Sequence, residues 1–160
     1  MLRMDKETFE KMVRQDERRL YRVAMCYTGN PTDAADAVQE ALLRAWTNRQ
    51  SLREEQLFST WLVRILINEC KTLLRKRRRM LPFAQIPENS VQLPPDADRQ
   101  VYDMLFSLPE KYRVPLVLHA LEGYAMHEIA AMLRLPLNTV KTRISRARKQ
   151  MRQEGNIDAE

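Results

Sequence analysis

The sequence has little of what strands, disulfide scaffolds and membrane spans require. It contains 3 glycines and 2 cysteines among 160 residues, and no apolar run approaches the roughly 20 residues of a membrane-spanning helix. Apolar and polar residues do not alternate over any sustained stretch, which argues against strands. The charged N-terminus lacks the apolar core of a signal peptide, so we expect a cytoplasmic protein with no direct membrane insertion.

Cysteine and histidine are too scarce to support a disulfide framework or a metal site. Cys26 and Cys70 each sit in an apolar helical pattern, and we expect both to be reduced core residues. Neither His119 nor His127 has a cysteine at a metal-ligand spacing. We therefore predict no metal and no cofactor.

Positive charge is concentrated in two stretches of the chain. The formal net charge is +6, and residues 71–79 and 141–152 each hold six basic residues and no acid. Two separated basic stretches predict two contacts with a polyanion such as DNA. Because Lys and Arg also favour helix C-termini, two solvated helix ends are the alternative interpretation.

The spacing of apolar residues predicts an all-α fold with two small helical domains. Helices are expected at about 6–27, 31–48 and 58–79, and a polar loop at 49–56. Residues 80–98 contain four prolines and no helical period, which predicts a linker. Shorter helices follow, the second starting or bending near Tyr112 because Pro115 is tolerated only near a first turn.

The second predicted helix should have one buried and one polar face. Asn30 is expected to cap it and Pro31 to occupy its first position. Its first turns are expected to expose Asp33, Asp36, Gln39 and Glu40. Its buried stripe is expected to contain Ala35, Val38, Leu42, Ala45 and Trp46.

Residues 126–151 have the layout of a helix-turn-helix. A helix is followed by a break at Leu135 and Pro136, and then by a second helix with basic residues on one side. The second helix of this motif enters the major groove of DNA. Its apolar residues recur at helical spacing and should pack inward: Val140, Ile144, Ala147 and Met151.

Three segments together resemble bacterial sigma factors of the extracytoplasmic function group: residues 33–46, 58–79 and 108–151. The resemblance implies a sigma region 2-like domain at 1–79, a linker at 80–98 and a sigma region 4-like domain at 99–160. It implies a protein that binds core RNA polymerase and directs it to promoter DNA, with no catalysis of its own. An anti-sigma factor, which in this group is often membrane-anchored, is a further expected partner.

The resemblance also implies contacts with the polymerase, on the clamp helices of its largest subunit and on its flap. The positions implied for the clamp are Asp33, Asp36, Gln39, Glu40 and Arg44. Without the resemblance, the helix dipole alone would explain acids at a helix start.

The loop and third helix are implied to handle the −10 element, which requires a pocket for an unstacked base and cations for the backbone. Trp61 fits the apolar stripe of the third helix, which favours core packing, and Leu52 stands where some relatives have an aromatic residue. The implied residues are Leu52, Phe58, Trp61, Arg64, Asn68, Lys71 and Arg75.

The last helix is implied to contact the −35 element. Lys141, Thr142, Ser145 and Arg146 are expected to face the bases, where Lys and Arg suit guanine O6 and N7. Arg134 and Asn138 both stand where glycine is frequent in the family. The implied contacts are Asn138, Thr139, Lys141, Thr142, Arg143, Ser145, Arg146 and Arg148.

Two other functions compete with the sigma interpretation. A stand-alone helix-turn-helix regulator would normally need a symmetric dimer, and no dimerising heptads are present. An enzyme acting on nucleic acid could hold magnesium on Asp33, Asp36 and Glu40, but no second carboxylate cluster accompanies them.

Overall fold

The computed structural model describes residues 4–80, residue 93 and residues 97–158. Every regular element in these ranges is helical, which confirms the predicted all-α class. The chain divides into two compact units, Met1–Gln92 and Leu93–Glu160. The predicted linker at 80–98 falls mostly outside the described residues, and Met80 is the last residue of a helix. None of the helices in the described ranges is long and apolar enough to cross a membrane.

The first unit contains α1 (Lys6–Thr28), α2 (Pro31–Thr47) and α3 (Phe58–Met80), and short 3-10 turns lie between α2 and α3. Local capping signals set the helix ends. Gly29 ends α1 with a φ of 62°. Asn30 Oδ1 accepts the backbone N–H of Asp33 at 3.1 Å, and Pro31 starts α2. The predicted cap and first position of α2 are thus confirmed.

The three helices pack against one another around a core of large side chains from α1 and α3. The contribution of α2 to this core differs from the prediction. Ala35 is exposed, while Val38, Leu42 and Trp46 are half-buried. Ala45 is buried as predicted, but the other buried positions are shifted by one residue, to Ala34, Ala37 and Ala41. Small side chains let the backbone of α2 come close to its neighbours, which leaves the larger residues at the margin.

The second unit contains α4 (Arg99–Phe106), α5 (Glu110–Leu116), α6 (Met126–Leu133) and α7 (Leu137–Asp158). Its α5 begins two residues before the predicted start at Tyr112, so Pro115 lies inside the helix. A wider π-helical turn, Val117–Leu121, follows directly. Proline lacks the backbone N–H that continues the hydrogen-bond ladder, which accounts for irregular helix at this point.

The helix-turn-helix consists of α6 and α7. Arg134 ends α6 in the left-handed conformation, with φ 55° and ψ 48°, and the N–H of Leu135 donates to Ala130 O at 3.0 Å. A residue with a side chain is strained there by about 1 kcal/mol relative to glycine. The predicted inward stripe is confirmed for Val140, Ile144 and Ala147. Its fourth member, Met151, is half-buried.

Candidate polymerase and nucleic-acid interfaces

The outer face of α2 carries acidic and amide side chains over its buried alanines. Asp36, Gln39 and Glu40 are exposed as predicted. Leu43 lies one turn beyond Gln39 on the same face, and 63% of it is exposed. Sequence reasoning missed Leu43, although an apolar residue on a polar helix face is itself a signal of a contact surface.

Asp33 does not share this exposure. It is only 3% exposed, and its carboxylate accepts a hydrogen bond from the guanidinium of Arg77 in α3. Burial raises the pKa of the Asp33 carboxyl above its ordinary value, an effect that the Arg77 charge opposes and the Asp36 charge reinforces. The predicted exposure of Asp33 is therefore wrong, because a basic side chain from α3 reaches it. Asp33 also does not join Asp36 and Glu40 in one exposed acidic set.

Arg44 joins α2 to α3 at the other end of the acidic face. Its Nε lies 3.9 Å from Glu40 Oε1 and makes a shorter ion pair with Glu69. Glu69 is buried, whereas 57% of the Arg44 side chain is exposed. The guanidinium is thus held at the surface by carboxylates on both helices.

The segment before α3 closes over the core. Leu52 and Phe58 are buried, so their side chains are not available on the surface. The Trp61 ring is half-buried 5.8 Å from Phe58, and its Nε1–H donates to Ser51 Oγ at 3.1 Å. This geometry leaves part of the Trp61 ring exposed and fixes its orientation.

One face of α3 forms a polar and basic row. Arg64, Asn68 and Arg75 are exposed, and Lys71 is half-buried between them. These positions recur every three or four residues and so lie on one side of the helix. Beyond Arg75, α3 has exposed basic residues up to Arg79, and Arg77 among them lies on another side of the helix, where it bonds to Asp33. The arrangement suits a nucleic-acid backbone running along α3.

The outer face of α7 presents most of the side chains predicted to contact DNA. Thr139 and Arg143 are half-buried at its margin, and Thr142 Oγ1 donates to the backbone carbonyl of Asn138 at 2.9 Å. The exposed members are Asn138, Lys141, Thr142, Ser145, Arg146 and Arg148.

An open groove of about 350 Å³ lies between the start of α5 and this face of α7. Lys111 and Tyr112 contribute from α5, and sequence reasoning missed both. The neighbouring Arg146 guanidinium lowers the pKa of the Tyr112 hydroxyl, and the Lys111 charge acts in the same direction. The remaining lining residues belong to α7: Asn138, Thr139, Thr142, Arg143 and Arg146.

Comparison with known families decides between the open interpretations. The family model of Sigma-70 region 2 matches residues 12–80, and that of Sigma-70 region 4 matches residues 98–151. The chain is 31% identical to the extracytoplasmic function (ECF) RNA polymerase sigma factor SigW of Bacillus subtilis, over 94% of this chain and 90% of that protein. This chain belongs to the ECF sigma factors. Another member of the family, the ECF RNA polymerase sigma-E factor of Haemophilus influenzae, is 30% identical to it over 91% and 86% of the two chains.

Solved sigma-factor structures share the fold. Sigma factor RpoE in complex with the anti-sigma factor NepR from Bartonella quintana matches with a TM-score of 0.83 and 26% identity, over 94% of this chain and 98% of that chain. CnrH in complex with the cytosolic domain of CnrY matches with a TM-score of 0.72 and 26% identity, over 98% and 91% of the two chains. This ECF sigma factor is a promoter-specificity protein of RNA polymerase, and its relatives are transcription regulators rather than enzymes.

Proposed function

We propose that this sigma factor divides its contacts among α2, α3 and α7. Residues 1–79 would bind core polymerase and the −10 element, residues 80–98 would link the domains, and residues 99–160 would contact the −35 element and the polymerase flap. The observation that supports the proposal most is that α7 is amphipathic. Its apolar side is buried, while its opposite side exposes Lys141, Thr142, Ser145 and Arg146.

We propose that α2 docks on the clamp helices of the largest polymerase subunit through its exposed face. Asp36, Gln39 and Glu40 would supply polar contacts, Leu43 an apolar one, and Arg44 a contact held in place by Glu69. Asp33 would act indirectly, because its carboxylate is buried against Arg77. A polar rim around one exposed apolar side chain is common at protein interfaces.

We propose that the −10 element runs along α3. Arg64, Lys71 and Arg75 would meet backbone phosphates, and Asn68 would supply a polar contact to a base. Trp61, which is half-buried, would contribute the exposed part of its side chain. Leu52 and Phe58 would shape the loop from beneath, since both are buried.

We also propose that an anti-sigma protein binds this chain and keeps it from the polymerase in the cytoplasm. The complexes of RpoE with NepR and of CnrH with the cytosolic domain of CnrY support such a partner. The second of these supports a partner anchored in the membrane. Affinity capture from separated membrane and soluble fractions tests the anchoring, because recovery of the partner from the soluble fraction alone would contradict it.

Transcription from a fragmented genomic library tests the main proposal. Purified core polymerase is supplied with the protein or with buffer, and the start sites of the transcripts are sequenced. We expect protein-dependent starts that share two upstream motifs at a fixed spacing. No dependent starts, together with tight DNA binding by the folded protein alone, would instead favour a stand-alone regulator.

A further inference from the structure

The groove between α5 and α7 gathers positive charge that no carboxylate in its lining offsets. Three cationic side chains line it, Lys111 from α5 and Arg143 and Arg146 from α7. Within the part of the chain that the structure describes, none of these three forms an ion pair with a carboxylate. The other lining residues carry hydroxyl or amide groups: Tyr112, Asn138, Thr139 and Thr142. The groove therefore combines the charge and the hydrogen-bond donors that an anion requires.

Lys111 brings one of these charges to the groove from outside the helix-turn-helix. It is the second residue of α5, its side chain is exposed, and α5 packs against α7. Its Nζ lies 5.0 Å from the centre of the Tyr112 ring, which also lines the groove. Attraction between the ammonium and the ring favours this position, and an ammonium has three N–H donors, so donors remain for an oxygen ligand.

We propose that this groove binds one backbone phosphate of promoter DNA, with Lys111 and Arg143 as its charged contacts. The inference rests on the proposed function of α7, because Thr142 and Arg146 belong both to the groove lining and to the face proposed to meet the −35 bases. An anion in the groove thus lies beside the bases that α7 would contact, where the DNA backbone runs. Such a contact fixes the register of the protein on the duplex without reading its sequence.

A phosphate contact differs from a base contact in its dependence on salt. A lysine that neutralises a phosphate releases a counterion, so the affinity for DNA falls as the salt concentration rises. Lys111→Gln removes the charge, whereas Lys111→Arg keeps it. Lys149→Gln makes the same change at an exposed lysine of α7 outside the groove lining, and is the matched control for net charge.

The test titrates reconstituted holoenzyme onto a short duplex that carries a −35 element from the library experiment and no −10 element. Fluorescence polarisation gives the affinity between about 50 and about 200 mM KCl, for this duplex and for one with a single changed base pair. We expect Lys111→Gln to reduce the steepness of the log affinity–log salt plot by about 1. It should weaken both duplexes by the same factor, about threefold to tenfold at fixed salt. Lys111→Arg and Lys149→Gln should keep the wild-type steepness.

Lys141→Ala tests the underlying proposal in the same assay, because loss of a base contact should reduce discrimination between the two duplexes. Wild-type discrimination in Lys141→Ala would reject the assignment of α7 to the −35 bases. Reduced discrimination there, with wild-type steepness in Lys111→Gln, would overturn the phosphate site alone. An equal effect of Lys149→Gln on the steepness would also overturn it, by showing an effect of net charge. So would a loss in Lys111→Gln that is confined to one duplex, which would indicate a base contact.

Discussion

Arg77, in the last turns of α3, pairs with the buried carboxylate of Asp33 at the start of α2. The pair is asymmetric, because 52% of the Arg77 side chain is exposed but only 4% of the Asp33 side chain. It connects the helix proposed to bind polymerase with the helix proposed to bind the −10 strand.

This asymmetry predicts unequal costs for breaking the pair from its two sides. Arg77→Ala leaves a buried charge without its partner and is expected to lower the free energy of unfolding by about 2 kcal/mol. Asp33→Asn leaves an arginine that water can solvate, and we expect a cost below about 1 kcal/mol. Urea denaturation followed by tryptophan fluorescence measures both, since Trp46 and Trp61 both lie in the first unit. Arg78→Ala, at an exposed neighbouring position, is the control. A larger loss of unfolding free energy in Asp33→Asn than in Arg77→Ala would contradict the interpretation.

Asp36→Arg is expected to weaken binding to core polymerase at least about tenfold, because it reverses a charge on the proposed docking face. Binding of the labelled protein to core polymerase, followed by fluorescence polarisation, measures the loss. Folding should be unaffected, since the side chain is exposed. Glu17→Arg makes the same change on the exposed side of α1 and should retain normal affinity. Normal affinity in Asp36→Arg would reject the docking face.

Lys141→Ala is expected to lose most transcription from promoters that depend on the −35 element, by about tenfold or more, because a base-edge contact is removed. Polymerase affinity should remain normal. Lys149→Ala removes the same charge from the same helix about two turns later and is the matched control. Equal losses of polymerase binding and of transcription in Lys141→Ala would be inconsistent with a role in DNA contact.

The left-handed turn at Arg134 predicts a stabilising substitution. Arg134→Gly relieves a backbone conformation that side chains disfavour, and we expect a gain of about 1 kcal/mol in the second unit. Arg134→Ala keeps the strained β-carbon and should show no such gain. Amide hydrogen exchange of α6 and α7 reports on this unit alone. Slower exchange in both variants would show that loss of the arginine charge, and not relief of strain, is responsible.

The carboxyl of Asp16 is expected to make the stability of the first unit depend on pH. Burial raises the pKa of its carboxyl above the ordinary value, although the charge of Arg19, 3.4 Å away, opposes the shift. The folded state therefore binds more protons than the unfolded state at pH values just above the ordinary pKa, and stability gains as the pH falls through that window. Asp16→Asn cannot titrate and lacks this gain.

The stability of Asp16→Asn relative to the wild type is thus expected to fall between about pH 7 and about pH 4. Urea titrations with tryptophan fluorescence at the two pH values measure the difference. Glu17→Gln, on the exposed side of the same helix, controls for the loss of one negative charge. A relative stability of Asp16→Asn that rises on acidification would show that the pKa of Asp16 is lowered by folding.

The helix boundaries were largely predictable from the sequence, because their signals are local. Gly29, Asn30 and Pro31 determine the end of α1 and the start of α2 through backbone conformation and capping alone. The inward face of α7 was predictable for a similar reason, since large apolar residues recur at helical spacing.

The features that sequence reasoning missed depend on contacts between distant residues or on ambiguous periodicity. The N-terminal half of α2 has alanine at 34, 35 and 37, so hydrophobicity could not distinguish Ala34 from Ala35 as the inward residue. Asp33 was predicted to be exposed because its partner lies 44 residues away. Tyr112 approaches Arg146 only after α5 packs against α7.

Because the inward face of α2 consists of alanines, its outward face can be engineered independently of the core. Since Ala34, Ala37, Ala41 and Ala45 contribute only methyl groups inward, few core rotamers depend on what the outward positions carry. Substitutions at Gln39, Glu40 or Leu43 can therefore retune affinity for a different polymerase without repacking the interior. The opposite holds for the alanines, which are fully buried, so that an added methylene forces neighbouring groups to move.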